Sequence, residues 1–268
     1  MKKSSKRRPL KGRNAEGRRQ TFTPAERRLI ARLRTPLHVQ RWLNSLPYNT
    51  EPPPARATLR SFRGVVRHRT AHCLEAALAA AVILEQHGYP PLVVSFESID
   101  ELDHVIFIYR ERSAGPSTTL SAGRWGSVAR SRDPGLHGRK PVFATPRALA
   151  ASYLDAYVDL SGRIKAYTVF DLRAMGDYDW GLSEKNVWKV EQMLIDYPHR
   201  PLRLAAARVR RLRGWYRRFR EAYPGVKPVD YPGRERWTPL PADCRAGEGL
   251  TVPGDPWISR GRSRASAA

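Results

Sequence analysis

The sequence predicts an α+β fold: an antiparallel sheet packed on a central Cys-bearing helix, with helical flanks. Three observations carry that expectation. The stretch Thr70 to Gly88 is rich in Ala and Leu, holds no internal Gly or Pro, and is uninterrupted by charge from Ala76 to Leu84, the composition of a helix buried nearly all round. Behind it come three short β-branched and aromatic runs joined by loops, with no crossover helix between them, which favours a meander. On both sides lie helix-start signals, Thr23-Pro24-Ala25-Glu26 and Thr145-Pro146.

Taken in order, Met1 to about Gln20 is a Lys/Arg tail too poor in apolar residues to fold alone. A short basic helix should follow Thr23, and another should start at Pro36 with Val39, Trp42, Leu43 and Leu46 on its apolar side. Pro47 to Ala57 reads as a Pro-rich connector. In the central helix Thr70 is the candidate N-cap, and Gly88 sits where a glycine closes a helix. Pro91 to Ser98 reads as a strand. His104 to Arg110 reads as a second, with His104, Ile106 and Ile108 on one face and Val105, Phe107 and Tyr109 on the other. Arg124 to Arg130 is a third. Beyond it the pattern predicts helices over 145–157, 183–195 and 202–223, with a weak strand pattern at 164–172. The organisation expected is a disordered tail over 1–22, a core over 23–200, a basic amphipathic helix over 201–224, and a Pro/Gly/Arg-rich tail over 225–268.

Composition bounds the function. A net charge of +23 on 268 residues suggests acidic partners such as nucleic acid, or else a merely solvated basic surface. The two cysteines, Cys73 and Cys244, lie far apart in dissimilar contexts and define no disulfide framework. No apolar run has membrane-spanning length, and the basic start lacks the apolar centre of a secretion signal, so a cytoplasmic location is expected.

Cys73 falls in the first turn of the central helix, where free N–H groups and the positive dipole end favour a thiolate. A lone Cys on an apolar helix also packs well as a small hydrophobe. His104, at the start of the second strand, can be brought beside it and act as base, and Asp133 beyond the third strand could orient the imidazole. His72 is a poor base on this reading, because adjacent helical side chains diverge. His68, His72, Cys73 and His104 together offer a zinc reading, but no H-E-x-x-H pattern supports it, and neither metal nor cofactor is expected. Asp177 and Asp179 read as a polar turn. The arginines of 203–220 fit either a phosphate backbone or a solvated helix face.

His72-Cys-Leu-Glu-Ala-Ala, His87-Gly-Tyr-Pro-Pro, Asp103-His104-Val and Trp125-Gly together resemble the transglutaminase-like superfamily, and in particular uncharacterised bacterial proteins with such a domain. The likeness covers roughly Val66 to Phe143 and extends weakly to Pro201. It implies a papain-like Cys-His-Asp site, with Cys73 as nucleophile and His104 as base. The family's Asp usually lies about four residues after the strand Trp, where this chain has Ala129; Asp133 is the nearest substitute. The function implied is thiol-dependent acyl hydrolysis or transfer on a peptide, protein or small amide or ester. The alternative is an inactive binding module that uses its arginines on nucleic acid. No membrane partner is expected.

Overall fold

The computed structural model describes residues 21–51, 57–100, 103–111, 123–158 and 162–252. The expected basic tail lies almost wholly outside them, as do the last residues from 253 and the loop 112–122.

Two helices open the described chain: α1 (Pro24–Arg32) and α2 (Pro36–Asn44). Thr23 Oγ1 accepts from Glu26 N–H while Glu26 Oε2 accepts from Thr23 N–H, a reciprocal cap that fixes the start of α1. Thr35 caps α2 in the same way through His38 N–H. A third helix, α3 (Phe62–His68), precedes the central helix and is capped by Ser61, whose side chain accepts from Gly64 N–H. It ends at Arg69 in the left-handed region (φ 55°), and that reversal moves the start of the next helix.

The central helix, α4, runs Cys73–Glu85 and buries every residue from Leu74 to Leu84. Its N-cap is His72 and not Thr70, whose hydroxyl instead accepts from the Arg60 guanidinium at 2.6 Å. Gly88 (φ 89°) closes the far end as expected, with Gly88 N–H on Glu85 O and Tyr89 N–H on Leu84 O.

The remaining elements are β1 (Leu92–Ser98), β2 (His104–Glu111), β3 (Arg124–Val128), β4 (Arg139–Phe143), α5 (Pro146–Ala151), β5 (Ile164–Asp171), α6 (Trp188–Asp196), β6 (Arg200–Pro201) and α7 (Ala206–Ala222). The six strands form one sheet in the order β4-β3-β2-β1-β5-β6, every pairing antiparallel. The meander of three strands is therefore only half of it. The weak pattern at 164–172 proves to be a full partner of β1, paired from Leu92↔Asp171 to Ser98↔Ile164. Its alternation is blurred because both faces are covered. The fourth strand is an edge, which tolerates Pro141.

Helices cover both faces. Val105, Phe107 and Tyr109 pack toward α4 in one apolar cluster, while Ile106 and Ile108 join Phe96, Leu149 and Tyr153 in another. The helix expected over 183–195 begins only at Trp188, because Ser183 Oγ accepts from Lys185 N–H and turns the chain. The last helix runs unbroken through Gly214 and buries Val209, Leu212, Trp215 and Phe219. Beyond it the chain is irregular, as its Pro and Gly content predicts, yet it is packed: Val229, Tyr231, Trp237, Leu240, Cys244 and Val252 cluster on Trp215 and Phe219. No helix among the described residues is long and apolar enough to cross a membrane.

Candidate active site

The site is built at the N-terminus of α4. Glu75, fully buried, accepts from His72 N–H (3.0 Å), Arg60 N–H (2.9 Å), Thr58 Oγ1 (3.0 Å) and Asn49 Nδ2 (3.2 Å). One carboxylate thereby caps the helix and holds Asn49, Thr58 and Arg60 against it, with four donors compensating the buried charge. Tyr48 and Ala71 form a parallel bridge alongside, which sets the Tyr48 side chain in the cavity wall with Cys73.

Cys73 and His104 are brought together. Both are the first residue of their element, and both line one cavity with Tyr48, Asp133, Leu136 and Tyr157. The strand alternation holds: His104 lies on the Ile106 face and stacks on Phe96, rings 6.2 Å apart and 6° from parallel. Position at the strand's end, not face, lets it meet the thiol. Its Nε2 lies 2.9 Å from Leu136 O. A carbonyl can only accept, so Nε2 carries the proton and Nδ1 is left for Cys73.

Two imidazoles act on the thiol, His104 across the cavity and His72 from the N-cap. Burial pushes it up, but the hydrogen bonds and charge of His104 and then His72 more than offset that and hold it well below the ordinary thiol range. The sequence reading had His72 diverging. As N-cap it has extended backbone (φ −88°, ψ −176°), not helical backbone, so its ring is free to swing to the thiol while its Nε2 contacts Thr58 O at 3.1 Å. Burial lowers His72, but the hydrogen bond and charge of Cys73, then Glu75, outweigh it and raise it to about 9. A Glu three residues beyond His72 was the sequence signal for this boundary.

Asp133 lies on the cavity wall but does not hold the imidazole. Its carboxylate meets Lys227 Nζ at 2.6 Å, and Leu136 O occupies the orienting position. At the family's usual place for the acid, the backbone of Ala129 is bound in both directions by buried Gln40, N–H to Oε1 at 3.0 Å and O to Nε2 at 2.8 Å. Among the described residues no group of three His, Cys, Asp or Glu side chains is placed to hold a metal, and His68 is exposed on α3. Asp179 accepts from Leu182 N–H at 2.8 Å, the polar turn that its sequence suggested.

Among solved structures the chain is similar to LapG of Legionella pneumophila, with a TM-score of 0.32 and 13% identity over 57% of this chain and 81% of that one. The calcium-bound form of the same protein gives 0.31 and 13% over 62% and 86%. No family model and no curated protein matches. At these values the likeness transfers no residue role, and the site stands on its own geometry.

Proposed function

We propose that the protein is a thiol-dependent acyl hydrolase or acyl transferase acting on an amide or ester. The observation that carries this is a partly accessible Cys73 at a helix N-terminus, sharing one cavity with a His104 whose tautomer is fixed by Leu136 O. In the reaction the Cys73 thiolate attacks the substrate carbonyl carbon and forms the C–S bond. The resulting oxyanion takes the Cys73 N–H, at the free start of α4, as donor. The imidazolium of His104 gives its Nδ1 proton to the leaving amine or alkoxide as the C–N or C–O bond breaks. Water or an acceptor amine then attacks the thioester, His104 takes its proton, and the C–S bond breaks to return the thiolate.

An extended polypeptide substrate suits the surroundings. The cavity beside His104, about 160 Å³, is smaller than the roughly 300–1,000 Å³ of a small-molecule pocket and takes one side chain or acyl group. A second recess meets it at Cys73 and is edged by the exposed apolar side chains of Trp188 and Ile195. A chain laid through both would present its carbonyl between them.

The test is alkylation of Cys73 by iodoacetamide against pH in the full chain carrying Cys244→Ala. A midpoint clearly below the free value of about 8.5 is expected. A midpoint at or above it returns Cys73 to a packing role.

The second reading, nucleic-acid binding, is favoured by the exposed Arg210, Arg217, Arg218 and Arg220 on α7. It requires binding that weakens steeply with salt, and a shallower slope once those four are replaced. No binding at low salt ends it.

A further inference from the structure

Arg139, the first residue of the edge strand β4, is fully buried, yet no carboxylate among the described residues pairs with it. Burying a cation without a counter-charge is costly, so its surroundings must compensate. They do so with backbone carbonyls and ring faces. Nη2 donates to Gly135 O at 2.6 Å and Nη1 to His137 O at 2.8 Å. The guanidinium lies 4.0 Å from the Tyr153 ring centroid and 4.6 Å from that of Trp237. Tyr153 OH donates a further bond to His137 O at 3.0 Å and shares one with Ser127 Oγ at 2.7 Å, and that hydroxyl accepts from Arg139 N–H at 2.8 Å.

The two carbonyls gripped by Arg139 flank a third. Gly135 O and His137 O are held, and between them in sequence Leu136 O accepts from His104 Nε2 at 2.9 Å. The turn has no room to shift: a side-chain carbon added at Gly135 would meet Ala156 Cβ at 2.2 Å, and one at Gly138 would meet Gln40 Oε1 at 2.3 Å. Tyr153 also packs against the His104 ring, centroids 6.2 Å apart.

We infer that Arg139 is a positioning residue of the Cys73–His104 site: its guanidinium fork fixes the 135–138 turn so that Leu136 O, in place of a carboxylate, orients the His104 imidazole. This rests on the cysteine-centred reading above. It accounts for a buried cation that packing alone would not select. It also accounts for how Asp133 can pair with Lys227 while the imidazole stays oriented. A lysine cannot replace the arginine fully, because one ammonium lacks the planar fork that spans two carbonyls. Burial moves the guanidinium down to about 10, so it remains charged at neutral pH.

The test measures Cys73 alkylation by iodoacetamide in full-length chains carrying Cys244→Ala, each checked for folding by near-ultraviolet circular dichroism. Three variants accompany the parent: His104→Ala, Arg139→Met and Arg139→Lys. With the parent midpoint low, Arg139→Met should cut the rate at pH 6 by about ten-fold and move the midpoint toward that of His104→Ala, with Arg139→Lys in between. A folded Arg139→Met protein with the parent's midpoint overturns the inference and leaves the cysteine–histidine reading intact. An ordinary midpoint in the parent itself overturns both. Should Arg139→Met not fold, Arg139→Lys decides: a loss of about three-fold or more upholds the role, and an unchanged profile removes it.

Discussion

The chain contains two cysteine–histidine pairs, and they are electrostatic opposites. Cys73 meets His104 and His72 at a helix N-terminus beside a cavity, and its thiol is held far below the usual range. Cys244 meets His137, Sγ to Nε2 at 3.5 Å, inside irregular chain with neither residue more than a few per cent exposed. There burial, with Asp243 next, pushes the thiol up to about 11. Burial and then the Arg130 guanidinium push His137 down to about 3. The first thiol is poised as a thiolate, and the second pair is held neutral. Proximity of the two residue types is common to both. The difference lies in what surrounds them: an α-helix N-terminus and a second imidazole at the first pair, a permanent cation and no α-helix N-terminus at the second.

The largest effect should come from dismantling the first pair. Cys73→Ala, His104→Ala and the double variant should each fall to the same residual rate on any amide or ester substrate, a loss of about 10³-fold or more, because groups that act as a unit do not add. Asp133→Asn should stay within about three-fold of the parent, since its carboxylate belongs to Lys227. Turnover by folded His104→Ala at the parental rate would make the two pairs equivalent, both structural.

A smaller effect separates the two imidazoles at Cys73. His72→Asn removes one cation from the thiolate and leaves His104 in place, so the alkylation midpoint should rise by about one unit, near ten-fold in rate at acidic pH. Stability carries the same signature. His72 is raised on folding, so its contribution is complete below the free value of about 6.5 and is lost as pH climbs through about 9. Cys73, lowered on folding, contributes with the opposite sign over the same window, so the margin of the parent over His72→Asn in thermal melts should shrink between those limits. An identical decline in both would place the titration elsewhere.

Much of this contrast was legible in the sequence, and the illegible part has physical causes. Cys73 and His104 could be read because each opens an element whose composition marks its start, and α4 because nine residues run without charge. The true N-cap was missed by two residues because Arg69 reverses the chain just before it, and with the boundary went the role of His72. Leu136 contributes a backbone oxygen, which no side-chain pattern announces. Arg139 sits in a charged, Pro-containing run that looks like a surface loop; only the sheet edge and the rings of Tyr153 and Trp237 make it interior. Cys244 was set aside with a tail of loose composition, but Trp215 and Phe219 on α7 give that tail something to pack on.

The smallest effect is expected at Cys244, and it tests the comparison from the inert side. Its thiol touches His137 Nε2 at 3.5 Å and Ser131 O at 4.0 Å, contacts too long and too weak for much stability. Cys244→Ala removes one buried sulfur, so the loss should be about 1 kcal/mol, at the low end for core truncations. Turnover and the Cys73 midpoint should not change, because Cys244 itself does not line the cavity, and the Ser131 O that its thiol touches is also held by His137 Nε2 at 2.9 Å. In the parent, Cys244 should resist iodoacetamide up to pH 9 and react only when the fold opens, so its labelling rate should track denaturant while that of Cys73 tracks pH. Rapid labelling of Cys244 in the native protein at pH 7 would mean that it carries a thiolate too, and the division between a reactive and an inert pair would fail.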